Sequence, residues 1–184
     1  MSEFRTGNGA DWLDLLATLL GRFRSRQVEM LPDAAALRAW FAEHGMEPAA
    51  EVTVADLTAA RALREALHRA AVATLDERPV DARDLAILQD ALAADQGVDV
   101  HRDGTRLQLD RPADAAVALA WLARQAALDL TGPTRERLHA CGDATCSGIF
   151  IDHTGRRRWC SDERCGVRSR VRAHRARARE RSSG

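Results

Sequence analysis

CGDATCSGIFIDHTGRRRWCSDERC, residues 141–165, holds all four cysteines of the 184-residue chain. They form two pairs, Cys141-x4-Cys146 and Cys160-x4-Cys165, separated by thirteen residues. Thiols clustered this way in a chain without a visible export signal point to a metal before disulfides. Zinc takes four ligands in a tetrahedron and suits thiolates, and two local pairs meeting across a hairpin supply such a set. The residues between predict that hairpin: Ile149–Ile151 runs in, Asp152–Gly155 turns, and Arg156–Trp159 runs out. After Cys165 the sequence reads as a helix with Val167, Val171 and His174 on one stripe, expected to pack on the knuckle. Knuckle, hairpin and helix in this order make a treble-clef-like module. Four thiolates leave no open coordination position, so the expected cofactor is one structural Zn2+. A segment of about 45 residues buries too little apolar surface to fold alone, and metal binding offsets the deficit by roughly 10–16 kcal/mol in small zinc peptides. Two disulfides or an iron centre of rubredoxin type are the alternatives. His139, two residues before Cys141, is a rival ligand.

Around the cysteines the charge is one-sided. From Arg135 onward the chain carries 13 arginines against six acids, +7, so the first 134 residues carry −7 and the formal total is zero. Arg156, Arg157 and Arg158 lie on the predicted outgoing strand. Arg168, Arg172, Arg175 and Arg179 recur on one face of the following helix, and Arg170, Arg177 and Arg181 widen it. Such a face favours polyanions through counterion release, and arginine can grip phosphates or guanine edges with two donors. Charge alone does not choose between DNA and RNA. An acidic protein, or the chain's own acidic part, could also occupy this face.

The preceding residues are helical in pattern with one interruption. Trp12, Leu15, Leu16, Leu19 and Phe23 recur at helix spacing. Asp33 is placed to cap a helix carrying Leu37, Trp40 and Phe41 that stops at Gly45, and Thr53 with Asp56 reads as a capping box. Asp81 starts a helix with Leu85, Leu88 and Leu92 on one face, and Pro112 precedes another with Leu119, Leu122 and Ala126. The interruption, Val98–Leu109, alternates about Asp103-Gly104 and predicts a β-hairpin. Gly132-Pro133 then punctuates the chain. The predicted fold class is therefore mainly α: a helical domain over 1–133 with one hairpin, followed by a zinc module over 134–184. Trp12, Trp40 and Trp121 read as core residues.

The stretch from Cys141 to Arg177 resembles the CGNR-type zinc finger. Its C-x4-C knuckle falls on Cys141 and Cys146, its F-x-D on Phe150 and Asp152, its R-R-W-C on Arg157–Cys160, and its C-G-N-R on Cys165–Arg168, where Val167 replaces the Asn. The preceding residues are similar to the domain usually fused ahead of that finger, the ABATE-like putative stress-induced transcription regulator. The resemblance is carried by LDLLAT (13–18), LRAWFAEHG (37–45) and LTAARALREALHRA (57–70), with Ala17 where Asn is expected. It implies a DNA-binding transcription regulator, with the arginines Arg156, Arg157, Arg158, Arg168, Arg170, Arg172, Arg175 and Arg179 as candidate DNA contacts. It also admits a small-molecule effector and a homodimer.

Other classes find little support. The sequence lacks H-E-x-x-H, G-x-S-x-G and phosphate-loop patterns, and Gly7-x-Gly9 follows no strand, so no enzyme is expected, the alternative being an enzyme with a pocket in the helical domain and the zinc module as scaffolding. The absence of an 18-residue apolar run and of a secretory signal makes a cytoplasmic location, away from membranes, the expectation.

Overall fold

The computed structural model describes residues 4–182, apart from the side chains of Glu180 and Ser182. Its centre is the long helix α3, Val54–Leu75. The expected capping box opens it: Asp56 N–H donates to Thr53 Oγ1 at 3.2 Å, and Thr53 N–H donates to Asp56 Oδ2 at 2.8 Å. Around α3 pack α1 (Asp11–Leu16), α2 (Ala34–Glu43), α4 (Ala82–Leu92) and α5 (Ala115–Thr131). Aspartates cap three of these: Asp33 on α2, Asp81 on α4 and Asp114 on α5. Trp12, Leu37, Trp40, Leu67 and Leu122 are all but inaccessible in one core. Trp121 is half-buried and donates its indole N–H to the Gly97 carbonyl at 2.9 Å. On α4, Leu88 and Leu92 pack against the core while Leu85 stays exposed.

Two local expectations are corrected. The helix predicted from Trp12 to Phe23 ends at Leu16. Leu19–Leu20 (β1) instead pairs antiparallel with Val28–Glu29 (β2), Gly21 turns with φ +69°, and Phe23 is exposed. The cause is a buried arginine. Arg64 on α3 grips both Glu29 carboxylate oxygens at 2.7 Å and the Thr18 hydroxyl at 3.0 Å, while that hydroxyl donates to the Leu15 carbonyl. A buried guanidinium needs such partners, and the hairpin supplies them.

The second correction concerns the cysteine segment. The exposed hairpin β3 (Val100–Asp103) and β4 (Arg106–Leu109) forms about Asp103-Gly104 as expected. Ile149–Ile151 (β6), however, pairs with Leu138–Ala140 (β5), ahead of the first cysteine, and Arg156–Trp159 forms no strand. The Asp152 carboxylate accepts N–H bonds from Thr154, Gly155 and Arg157, which curls the chain back before a strand can begin.

The β5–β6 hairpin is not a separate body. Leu138, Ile149 and Ile151 belong to the same core as Trp12 and Leu67. Ile151 N–H donates to the Asn8 carbonyl at 2.8 Å. At Gly9, φ is +100° and an added Cβ would sit 2.9 Å from the Ile151 Cβ, so only glycine admits this approach.

Candidate metal centre and nucleic-acid interface

Cys141 follows β5 and Cys146 precedes β6, so the first pair sits on the knuckle of the β5–β6 hairpin. Cys160 ends the irregular segment. Cys165 lies in a wide helical turn, Asp162–Gly166, capped by Ser161 and leading into α6, Val167–Ser182. The four sulfurs lie within 4.8 Å of one another. The separations Cys146–Cys160 and Cys160–Cys165 are 3.7 and 3.6 Å. A tetrahedron with metal–sulfur bonds of about 2.3 Å has sulfur edges of about 3.8 Å, whereas a disulfide brings sulfurs to about 2.0 Å. The geometry is that of a metal site. The electrostatics agree. Hydrogen bonds from Cys146 and Cys160 favour the Cys141 thiolate, and donating to Cys141 pushes the Cys146 thiol up to about 11 and raises Cys160 further. Four thiolates cannot share this space without a cation between them.

Donors surround the sulfurs. Gly148 N–H points at Cys146 Sγ at 3.3 Å, Cys160 N–H at Cys141 Sγ at 3.5 Å, and Arg168 Nη2 at Cys165 Sγ at 3.2 Å. A Cβ on Gly148 would fall 2.8 Å from Cys160 Sγ, so a side chain there collides with a ligand. His139 is exposed and lies against Phe150, outside the cysteine group.

Asp143, between the first two ligands, organises the helix. Its side chain is fully buried and accepts from Arg168 Nε at 2.6 Å and Arg172 Nη1 at 2.7 Å. Burial pushes its carboxyl up, but the bonds from Arg172, the Thr145 N–H and Arg168 prevail and hold it well below the usual carboxylate range. Arg172 also donates to Thr145 Oγ1 at 2.7 Å.

The predicted arginines therefore divide. Arg168 and Arg172 clamp Asp143, and Arg170 pairs with Asp162 at 3.0 Å. Arg157 is spent inside: it donates to the Gly7, Trp159 and Cys160 carbonyls and lies 4.6 Å from the Phe150 ring centre. Arg156, Arg158, Arg175 and Arg179 are exposed, with Arg177 and Arg181 beside the last two. The stripe expected to cover the cysteines stays in solvent: Val167 and Val171 are 45% and 43% exposed, and His174 is exposed too. Asp143 and Gly148 were not singled out in the sequence, and Asp152 was read there as a turn residue and the aspartate of F-x-D, not as the acceptor of three backbone N–H bonds. The repeated Asp-x-Thr of Asp143–Thr145 and Asp152–Thr154 was a usable signal, because each aspartate turns the chain onto its own threonine.

A second group, Asp11, Asp14 and His44, gathers at the start of α1. Asp14 accepts from Gly7 N–H, Asn8 N–H and Asn8 Nδ2, which fixes the N-terminal arm, and His44 Nε2 lies 3.6 Å from Asp14 Oδ2. Burial disfavours the imidazolium, but Asp14 and the Trp40 carbonyl outweigh it and raise the His44 pKa.

Comparison with known families decides the membership. The ABATE family model, described as a putative stress-induced transcription regulator, matches residues 9–133. The chain belongs to this family. The CGNR zinc finger model matches residues 137–178, which contain every cysteine, and the four cysteines of this ABATE protein form a single zinc site. Neither family is an enzyme type. No curated protein matches the chain. Among the described residues, no helix of this ABATE protein is long and apolar enough to cross a membrane.

Proposed function

We propose that the protein is a DNA-binding transcription regulator in which residues 134–184 contact DNA and residues 1–133 sense a signal or dimerise. The observation that carries this reading is the outer half of α6. Residues 170–177 are exposed without a break, and Arg175, Arg177, Arg179 and Arg181 follow at two-residue steps beyond the Asp143 clamp. A helical segment exposed on every side gains nothing from a core. Arg177 and Arg181, four apart, repel by about 0.2–0.5 kcal/mol. A polyanion reverses that sign and releases its counterions. The zinc centre and the Asp143 clamp hold the root of the helix, so its outer half is presented on a fixed base. Arg156 and Arg158 add exposed cations on the segment before Cys160.

The family assignment supports a regulator, and the arginine distribution supports nucleic acid as its target. The test is duplex-DNA binding by the zinc-loaded full chain over a salt series. A log–log slope near −5, corresponding to about six phosphate contacts, is expected. Arg175→Ala/Arg177→Ala/Arg181→Ala, which leaves the clamp intact, should weaken binding at least tenfold with zinc content unchanged. Absence of binding at low salt, or full binding by the triple variant, overturns the reading.

A further inference from the structure

A cavity of about 420 Å3 opens between the helical part and the zinc module. Its walls differ in kind. Phe4, Leu13, Leu16, Leu19, Leu20 and Val28 supply an apolar side from the N-terminal arm, α1 and the β1–β2 hairpin. Arg5, Arg24, Arg26, Arg164 and Arg168 line it as well, with Glu163 the single acid among the described lining residues. Arg24, Arg26 and Arg164 are exposed at the mouth, while Arg5 and Arg168 are half-buried. Arg168 is committed to Asp143 and Cys165, but Arg5 is not satisfied: its Nε is buried without a hydrogen-bond partner among the described residues. A tetrathiolate zinc centre carries a formal −2, and Cys146 and Cys160 border the cavity, so part of the cationic charge is balanced there. With Arg168 paired to Asp143, the other four guanidiniums against one carboxylate and that centre leave a surplus of +1.

We propose that this cavity binds a small organic acid, an apolar body with one carboxylate, its head on Arg5 and the mouth arginines and its body against the leucine wall. The volume lies in the range of small-molecule sites, which pair a mostly apolar lining with a few placed polar groups. A half-buried guanidinium beside apolar walls is stabilised by an anionic partner, and a carboxylate is its natural complement. Inorganic phosphate would satisfy the arginines and leave Leu19, Leu20 and Val28 facing water, so the apolar wall selects the organic acid. The walls come from both parts of the chain, so the bound acid bridges them and favours the docked arrangement. This site stands on its own geometry and does not require the DNA reading.

The test is calorimetric titration of the zinc-loaded full chain with octanoate, 2-naphthoate, octanamide and inorganic phosphate. One-to-one binding of either carboxylate with a Kd below about 1 mM is expected. Octanamide and phosphate should each bind at least tenfold more weakly. Arg5→Ala should cost tenfold or more in carboxylate affinity. Arg24→Glu/Arg26→Glu, at exposed positions where the Arg24 change gives up a 3.2 Å bond from Nη2 to the Thr145 hydroxyl, should cost at least fivefold with zinc content and melting temperature as in wild type. Amide binding as tight as acid, phosphate binding as tight as carboxylate, affinity unmoved in the double variant, or no carboxylate binding at all would each overturn the proposal.

Discussion

At the scale of single residues, the zinc site shows two grades of legibility. The four cysteines could be read directly because metal chemistry restricts both residue type and spacing. Gly148 could not, since nothing in a sequence says that a backbone will pass within touching distance of a sulfur. The consequence can be measured. In Gly148→Ala the new Cβ would stand 2.8 Å from Cys160 Sγ and 3.2 Å from Cys146 Sγ, and the Gly148 N–H now aimed at Cys146 would turn away. Two ligands of the set are disturbed at once. Zinc release to a competing chelator should accelerate at least tenfold, and the melting temperature should fall, with a loss of about 2–3 kcal/mol typical of forced overpacking. Release kinetics identical to wild type would mean that the knuckle accommodates a methyl group beside its sulfurs.

At the scale of elements, caps and hairpin turns were readable where the signal was local: Asp33, Thr53 with Asp56, Asp81 and Asp103-Gly104 each do what their chemistry predicts. Pairings that depend on a distant residue were not. Leu19 and Phe23 continue a helical period, yet Arg64, more than forty positions away, draws Thr18 and Glu29 together and ends the helix. The same holds for β6, whose strand-like sequence did not say which neighbour it would choose. The contact between α3 and the knuckle is another long-range product. His68, 9% exposed, brings Nε2 to 3.3 Å from the Ser147 carbonyl. Burial, followed by the nearby Arg22 charge, lowers its pKa to about 4, with Arg69 adding to this and Glu65 opposing it. His68 is thus neutral in the folded protein and titrates near 6.5 when unfolded. Its contribution to stability is complete above about pH 6.5 and drains away as pH falls toward 4, by an amount on the order of 2–3 kcal/mol. His44 has the opposite sign: its raised pKa gives stability below about 6.5 that is lost as pH rises through the folded value. Urea unfolding of wild type and His68→Asn at pH 7, 6 and 5 separates the two. The wild type should lose stability relative to the variant at each step downward, and parallel curves would remove His68 from the account.

At the scale of the whole molecule, charge and composition suggested two bodies, an acidic helical part and a basic metal module held together by coordination. In the structure the two share one core. Leu138, Ile149 and Ile151 sit at 4%, 4% and 2% exposure in the core that contains Trp12 and Leu67, and Arg157 reaches across to the Gly7 carbonyl. Burying each of the three aliphatic side chains is worth roughly 1.5–3 kcal/mol, and their sum is comparable to the 5–15 kcal/mol that separates an ordinary domain from its unfolded state. The β5–β6 hairpin keeps its shape only while the knuckle between its strands is closed, so the metal supports the helical core through those three residues. Zinc removal should therefore act well beyond residues 141–165. Titrating the full chain with a strong chelator should lower the melting temperature by ten degrees or more, a shift consistent with about 3–6 kcal/mol in a protein of this size. In hydrogen exchange, loss of protection should extend past the zinc module to α1 and the Asn8–Gly9 arm. The surface argines of α6 take no part in that core, so Arg175→Ala/Arg177→Ala/Arg181→Ala should melt like wild type with or without metal. If chelation instead released only residues 137–178 and left the α1 amides as protected as before, the helical part would be self-sufficient, and the shared core would be a contact without energetic weight.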